Sequence, residues 1–496
     1  MTQGPLNMFF RRHHGSLLLP LTIFCACTTS VAAADAEIII EDDVVIESNG
    51  AESADSILIE ETPGQDELMI EESDPAAGDG LMAGGTDTDE SLEAGSQSGD
   101  LEIKIDDAWA EYGHFTRSDS ESDNSLYGKV AASANWQPNS SWELQLAGRI
   151  DGYDEDGKNS FTDIVADYGD SYIRYRTEDL KLTFGTQTVV WGRLDELPLA
   201  DRVSRADLTR FVLDDLEDRR RANPVIRAEA FFGSGKLDLV WLYDFRGAAL
   251  PDKDSVWYPV NRETGRIIGF DPDDIPPASI KNARISDKAS SGDGGFGARY
   301  TRTHSFADIG VTVAHTRQST PYYRSAGIGR IEALYPRSWA YGADAAVDAA
   351  GATWRAELLY SSDNPVTREN LGYTTTPAMS WGAGVEFHPG DSDTRVNLQL
   401  VGINLIDSPS IIDRKEVYSV NGEVETPFDR ERWRAKLGFY AGMKDKDIYL
   451  NPEIAFLGWE PHEVYLALHY FEGDDNTFSG FHEDHSSINL GWRATF

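Results

Sequence analysis

Two stretches of this 496-residue chain hold residues whose types and spacing could do chemistry. One lies near the C-terminus, where His462, His469, His482 and His485 are interspersed with Ser479, Asp484 and Ser486. A hydrolase mounted on the rim of a fold needs a Ser–His or Asp–His pair within hydrogen-bond reach. No nucleophile motif surrounds these residues, and ten His in a chain of this length need no special cause. Asp154-x-Asp156-Gly157-x-Asn159 offers oxygen ligands, but it lacks the full spacing and the terminal Glu of a calcium loop. Beyond the first residues there is no phosphate loop, zinc spacing or dinucleotide fingerprint. The sequence therefore predicts no catalysis, no bound metal and no cofactor.

The other stretch runs from Leu194 to Pro224 and carries acids and bases in near balance. Arg202, Arg205, Asp207, Arg210, Asp214 and Asp215 are its core, and Ala206–Leu216 has helical spacing, with Leu208, Phe211, Val212 and Leu216 near one face. It follows a Trp191-Gly192-Arg193 corner. Ahead of the corner, Arg174, Arg176, Lys181 and Gln187 fall on the polar face of two predicted strands. If those charges enclose water, they set a field that selects among ions. The alternative is a solvated surface loop whose charges pair incidentally.

Which of these applies depends on the elements that carry them. From Leu101 onward apolar and polar residues alternate in runs of about ten, the period of a strand. In Trp142–Ile150, Trp142, Leu144, Leu146 and Ile150 share one face, and Glu143, Gln145 and Arg149 the other. Arg395–Leu400, Trp433–Tyr440 and Thr353–Leu358 repeat the pattern. A water-soluble sandwich would turn the polar face outward. Long strands, Arg or Glu on the polar face, and Trp or Tyr near the ends of the apolar face instead predict a membrane barrel with aromatic girdles and a wet interior. Lipid then requires closure, because an open edge would leave backbone groups unpaired.

Short turns are predicted at 138–140, 177–179, 233–235, 304–306, 348–351 and 389–393, with longer connections between them. One more strand near Lys415–Glu423 gives eighteen antiparallel strands, with sixteen as the alternative. The all-β fold class expected is thus a transmembrane antiparallel barrel of 16–18 strands over residues 101–496, wide enough for an aqueous lumen. Residues 192–223 form its third long loop. The connection 245–293, with Trp257, Tyr258 and the acids Asp271, Asp273 and Asp274, reads as a surface lid.

Composition and leader agree with this. A formal charge of −40 excludes a nucleic-acid binder. After residue 34 no run of eighteen apolar residues exists, which excludes a helical membrane protein. Arg11 and Arg12, the apolar run Leu17–Cys27 and Ala32-Ala33-Ala34 read as a signal peptide over residues 1–34, the alternative being lipidation at Cys27. Both cysteines fall inside it, so the mature chain has no disulfide or thiolate chemistry. Residues 35–100 hold 21 Asp plus Glu and no Lys or Arg, the composition of a disordered periplasmic segment. Its apolar clusters, such as Ile57-Leu58-Ile59-Glu60 and Leu68-Met69-Ile70-Glu71, are random islands or motifs able to add a strand to a periplasmic partner.

The C-terminus, Ser487-Ile488-Asn489-Leu490-Gly491-Trp492-Arg493-Ala494-Thr495-Phe496, resembles the terminal assembly signal of bacterial outer-membrane barrels. Asn489, Gly491, Trp492, Ala494 and Phe496 are the residues concerned, and Ala494 departs from the aromatic common there. The Gln187-x-x-x-Trp191-Gly192 corner resembles that of uncharacterised porin-like outer-membrane barrels. The resemblance implies residence in the outer membrane of a Gram-negative cell, contact with its lipid, delivery by the barrel-assembly machinery, and a third loop folded into the lumen. It also implies a porin-like passage for small hydrophilic solutes or ions. The alternative function is a non-conducting scaffold or export partner that recruits a periplasmic complex through residues 35–100.

Overall fold

The structure, a computed structural model, describes residues 99–496 apart from 196–197, 211–212, 216–217, 328 and 408–409. The expected signal peptide and nearly all of the acidic segment lie outside the described residues.

From Leu101 the chain runs up and down through β1 (Leu101–Phe115), β2 (Ser122–Asn139), β3 (Trp142–Gly157), β4 (Phe161–Tyr168 continued by Ser171–Arg176), β5 (Leu180–Gln187) and β6 (Asn223–Phe232). Then come β7 (Gly235–Leu242), β8 (Gly295–Thr303), β9 (Asp308–Arg317), β10 (Arg337–Ala349), β11 (Ala352–Thr367) and β12 (Tyr373–Phe387). β13 (Arg395–Leu405), β14 (Glu416–Phe428), β15 (Trp433–Gly442), β16 (Asp447–Trp459), β17 (His462–Gly473) and β18 (Ser487–Thr495) complete it. The sheet has nineteen segments, but both parts of β4 pair with β3, so they make eighteen strands. Every neighbour is antiparallel, and β1 pairs with β18 from Asp107↔Thr495 to Phe115↔Ser487, which closes the cylinder. β14 occupies the place where the spacing puts an additional strand.

Turn chemistry explains the hairpins. Between β10 and β11, Ala350 and Gly351 both have positive φ, 55° and 74°, the handedness that matches the twist of the flanking strands.

The side chains are inverted relative to a soluble fold. Leu146, Ile150, Ile164, Phe184, Val311 and Leu490 are among the large apolar residues left exposed on strands. Their neighbours in sequence or register include the buried Lys129, Asp151, Thr183, Arg227, Asp344 and Asn489. Alternation along each strand therefore turns the apolar face out to lipid and the charged face in. Aromatic groups mark the rim at the turns, where Trp433 lies 4.9 Å from Phe456 and Phe456 5.0 Å from Trp459, ring centroid to centroid.

Candidate functional site

Residues 188–222, which join β5 to β6, meet the inward face of the wall along most of its circumference. An apolar stalk comes first. Val189, Trp191, Leu194, Leu199 and Val203 pack on Val225, Val240, Leu242, Ala314, Ala340, Leu359 and Val401. Trp191 is buried, and its Nε1 donates to Asp238 at 3.0 Å. Gly297 makes room for that ring: a Cβ there would lie 2.7 Å from it. Glu357 of β11 then caps the loop, accepting the backbone N–H groups of Arg193, Leu194 (2.9 Å), Leu199 (2.9 Å) and Ala200 (3.1 Å). One carboxylate so satisfies four donors that the irregular backbone leaves over.

Charged pairs fix the rest. Arg193 reaches Asp344 at 2.6 Å, Asp195 reaches Arg355 at 2.8 Å, and Arg202 donates to Ser338 and Ser361. On the facing arc Arg205 meets Asp167 at 2.7 Å, and Asp207 takes Arg221 at 2.6 Å. Arg210 bridges Asp214 at 2.6 Å and Glu111 at 2.8 Å, with its guanidinium over Tyr127 and Trp109. Asp215 meets Lys436 at 3.0 Å and Arg493 at 3.5 Å. β1–β4 and β10–β13 lie on opposite arcs of an eighteen-membered ring, so the loop crosses the lumen.

Among the described residues of 206–216 the expected α-helix is not formed. Arg205–Ala206 pairs with Arg220–Arg221 as a two-residue ribbon, and no α-helix occurs among the described residues of this loop. Arg205, Asp207, Arg210, Asp215 and Arg221 find partners on the wall or across the ribbon, and that long-range pairing overrides local helical spacing. Of the positions read as its apolar face, Phe211, Val212 and Leu216 lie outside the described residues, while Leu208 packs against the cluster at the outer mouth.

The four positions expected on strands four and five separate. Arg174 points inward, 3.2 Å from Glu143 and over the Tyr172 ring. Lys181 is inward over Phe231, and Gln187 is buried at the end of β5. Arg176 is at the turn, giving its Nε to the Ser140 carbonyl at 3.0 Å.

Alternation makes polar-face positions visible in sequence, but not which of them meet. The structure adds an inner-wall ladder that spacing alone does not single out. Arg355 contacts Glu386 (3.0 Å), Arg395 contacts Glu386 (3.7 Å) and Glu423 (3.0 Å), and Arg434 contacts Glu425 (3.9 Å), Glu453 (2.9 Å) and Glu463 (2.6 Å). These side chains retain 10–32 % exposure, whereas the Arg210–Glu111 and Arg221–Asp207 pairs retain 1–6 %. Water therefore reaches this ladder more than it reaches those two pairs.

The connection 243–294 is a lid with its own apolar core. Phe245, Leu250, Val256, Trp257, Tyr258, Val260, Ile268 and Ile280 join Phe115, Phe471, Phe478 and Phe481 on one arc and Tyr323, Ile331 and Tyr335 on the other. Against it sit His482 and His485. His482 Nδ1 is 2.9 Å from His485 Nδ1, and His485 Nε2 is 3.0 Å from Glu121. Ser479 is buried with its backbone N–H on Asp447, and Ser486 takes the N–H of Phe471. His469 lies against the hydroxyl of Tyr449, and His462 packs on Trp492. Asp154 and Asp156 are engaged by Thr162 and Asn124.

At the terminal strand Asn489 faces inward, giving Nδ2 to Glu111 at 2.8 Å, and Gly491 lies under the Tyr465 ring. Trp492 and Phe496 alternate onto the outward face, Ala494 is buried, and the Phe496 N–H reaches the carbonyl of Asp106 at 3.0 Å.

Solved structures with this architecture are outer-membrane barrels. OccAB1 of Acinetobacter baumannii aligns at a TM-score of 0.51 with 7 % identity, over 80 % of this chain and 96 % of that one. OccK7 (OpdD) of Pseudomonas aeruginosa aligns at 0.43 with 11 % identity, over 80 % and 99 %. OmpF of Salmonella typhi, in complex with daunomycin, aligns at 0.42 with 10 % identity, over 80 % and 98 %. The fold is that of a porin-like barrel. No curated protein matches the sequence. A family model described as a protein of unknown function, DUF1302, matches residues 61–469, and the chain belongs to that family.

Proposed function

We propose that this barrel is a porin-like channel for the passive passage of small hydrophilic solutes or ions across the outer membrane. The observation that carries the proposal is the partly exposed ladder of Arg and Glu along β11–β17, set beside dry pairs such as Arg210–Glu111 and Arg221–Asp207. Interleaved charges on a wetted wall orient polar solutes and cost an apolar solute its solvation advantage. The third loop narrows the passage through Arg193, Arg202, Arg205, Asp207, Arg210, Asp214 and Asp215. Beyond residue 100 the chain keeps 63 acids against 42 bases, an excess that favours cations at the outer mouth, while the Arg and Lys of β4 and β5 offer a local anion site in the lumen.

The reading assigns no catalytic step to the C-terminal histidines. It includes cleavage of residues 1–34 on export from a Gram-negative cytoplasm, handling of the C-terminal signal by the barrel-assembly machinery, and a periplasmic partner for residues 35–100.

Planar-bilayer recording tests it. Purified folded protein should give stepwise conductance that rises when residues 194–224 are shortened. Absence of any conductance, in the intact chain and in chains shortened in the third loop and in the lid, would turn the assignment toward a non-conducting scaffold.

A further inference from the structure

The lid crosses the mouth from β1 and β17 on one arc to the connection between β9 and β10 on the other. Its fastening is local. Glu121, between β1 and β2, accepts Asn261 Nδ2 of the lid at 2.6 Å and pairs with His485 Nε2 at 3.0 Å. His485 in turn meets His482, whose ring is buried among Trp257 of the lid, Phe471 of β17, and Phe478 and Phe481 of the last loop, at centroid distances of 4.9–5.9 Å. Three loops converge on this one relay of two imidazoles and a carboxylate.

We propose that the His482–His485–Glu121 relay is an acid-operated latch that holds the lid closed at neutral pH and releases it when His482 takes up a second proton.

One proton order satisfies both contacts. With Nε2–H of His485 donated to Glu121, its Nδ1 is the acceptor and His482 Nδ1–H the donor, one proton on each ring. A second proton on His482 places a full charge in an aromatic core, at the cost of desolvation. The charged and titratable groups around it sharpen that cost. Arg266 of the lid, hydrogen-bonded to the carbonyls of Gly480 and Asp475, presents a like charge. His485 is the nearest titratable neighbour, Glu121 stands beyond it, and Asp447 of β16 holds the N–H of Ser479. Tyr449 of β16 stacks on Phe471. Burial, with His485 and Arg266 behind it, holds His482 well below the ordinary 6.5.

The sign follows from linkage. The closed lid binds one proton fewer than an open lid whose His482 meets water. Falling pH therefore favours opening, by up to about tenfold in the open-to-closed ratio for each unit below about 6.5, and rising pH above that has no effect.

Lid opening matters for passage only if the channel reading above holds, so the test reads the lid directly. Ala248→Cys, buried in the lid core, is made in a full chain with Cys25 and Cys27 replaced by Ser. Its reaction with 4,4′-dithiodipyridine in detergent is followed from pH 7.5 to 5.0 and normalised to Ser234→Cys on an exposed turn. The expected result is a rise of up to roughly thirtyfold with His482 present, and a flat profile with His482→Phe. A flat profile with His482, or an equal rise in His482→Phe, overturns the latch. His482→Gln serves if the Phe variant does not assemble, with the same two outcomes. Conductance of a variant lacking residues 251–283 separates the two ideas: a silent pore with a pH-sensitive thiol refutes the channel and keeps the latch, and a conducting pore with an insensitive thiol does the reverse.

Discussion

Arg210 of the third loop and Glu111 of the first strand meet at 2.8 Å, both almost wholly buried, and that pair ties the loop to the seam where the barrel closes. Glu111 also accepts Nδ2 of Asn489 from β18 at 2.8 Å and the hydroxyl of Tyr465 from β17. One carboxylate thus binds the loop, the first strand and the last two strands together. Arg210→Met removes the counter-ion and leaves a buried charge, a change that costs about 3–5 kcal/mol. The expected outcome is a lower temperature for loss of heat-modifiable gel mobility, with larger conductance at room temperature. Glu111→Gln in the same chain should restore part of the stability. An unchanged transition in Arg210→Met would mean that the loop is not held at the seam.

The ladder gives a prediction about selectivity. Arg434 is the cation shared by Glu425, Glu453 and Glu463. Arg434→Glu leaves four neighbouring acids on a wetted wall, and the reversal potential in a KCl gradient should move toward that of potassium. Raised salt should shrink the effect, because the groups are partly exposed and screened. Arg210→Lys, in the dry part of the lumen, should leave the reversal potential where it was.

The strand pattern was legible because lipid and water impose opposite demands on the two faces of one strand, and period two survives along most of the wall, broken at bulges such as that between Ser361 and Asn364. Trp142, Leu146 and Ile150 are exposed outward and Glu143 is buried inward, as alternation requires. The closing parity of eighteen was legible for a related reason: hairpins return the chain to the same rim. The third loop was legible only as a charged stretch. Helical spacing at Ala206–Leu216 is local information, and Arg205, Asp207 and Arg221 answer to Asp167 of β4 and to Arg149 and Asp151 of β3 instead. The apolar seat for Trp191, and the crossing of lid and last loop at His482, join residues tens to hundreds of positions apart. No short-range period records such meetings.

The lipid-facing assignment can be tested by charge. Leu146 is 69 % exposed on the outward face of β3, while Arg149, three residues on, is inward and bonded to Asp151. Leu146→Arg should cost about 2–4 kcal/mol if it lies near the bilayer midplane. The check is the denaturant midpoint for unfolding from lipid vesicles. Leu146→Phe, which keeps the surface apolar, should unfold like the parent. Equal tolerance of Arg and Phe would contradict burial of this face in lipid.

Gly491 has a packing reason for its place in the terminal strand. A Cβ there would lie 2.0 Å from Cζ of Tyr465, the ring whose hydroxyl accepts Trp109 Nε1 at 2.7 Å and donates to Glu111. Gly491→Ala forces the ring away from both, at a cost of about 1–3 kcal/mol for overpacking. The measured quantity is the yield of heat-modifiable folded barrel in membranes. Adding Tyr465→Ala removes the clash, so the double variant should lose less than the sum of the two single losses. Strict additivity would show that Gly491 acts through recognition of the terminal signal and not through this ring.

Glu121 supplies a second acid step, separate from that of His482. Burial alone would raise its pKa, but the hydrogen bonds from His485 and Asn261 outweigh burial and bring it from 4.5 down to about 2. A carboxylate held low in the closed form stabilises that form fully above about 4.5, and the contribution is lost as pH falls from there toward about 2. In the chain carrying Ala248→Cys, with the relay intact and the pH range extended downward, thiol reactivity should therefore rise in two stages, one below the ordinary histidine value and one below 4.5. Glu121→Gln keeps an acceptor but not its charge. Its reaction at pH 7.5 should already be faster than that of the chain with Glu121, its lower stage should vanish, and its upper stage should persist because His482 remains. Loss of both stages together would assign the whole response to Glu121 and leave the buried imidazole without a role.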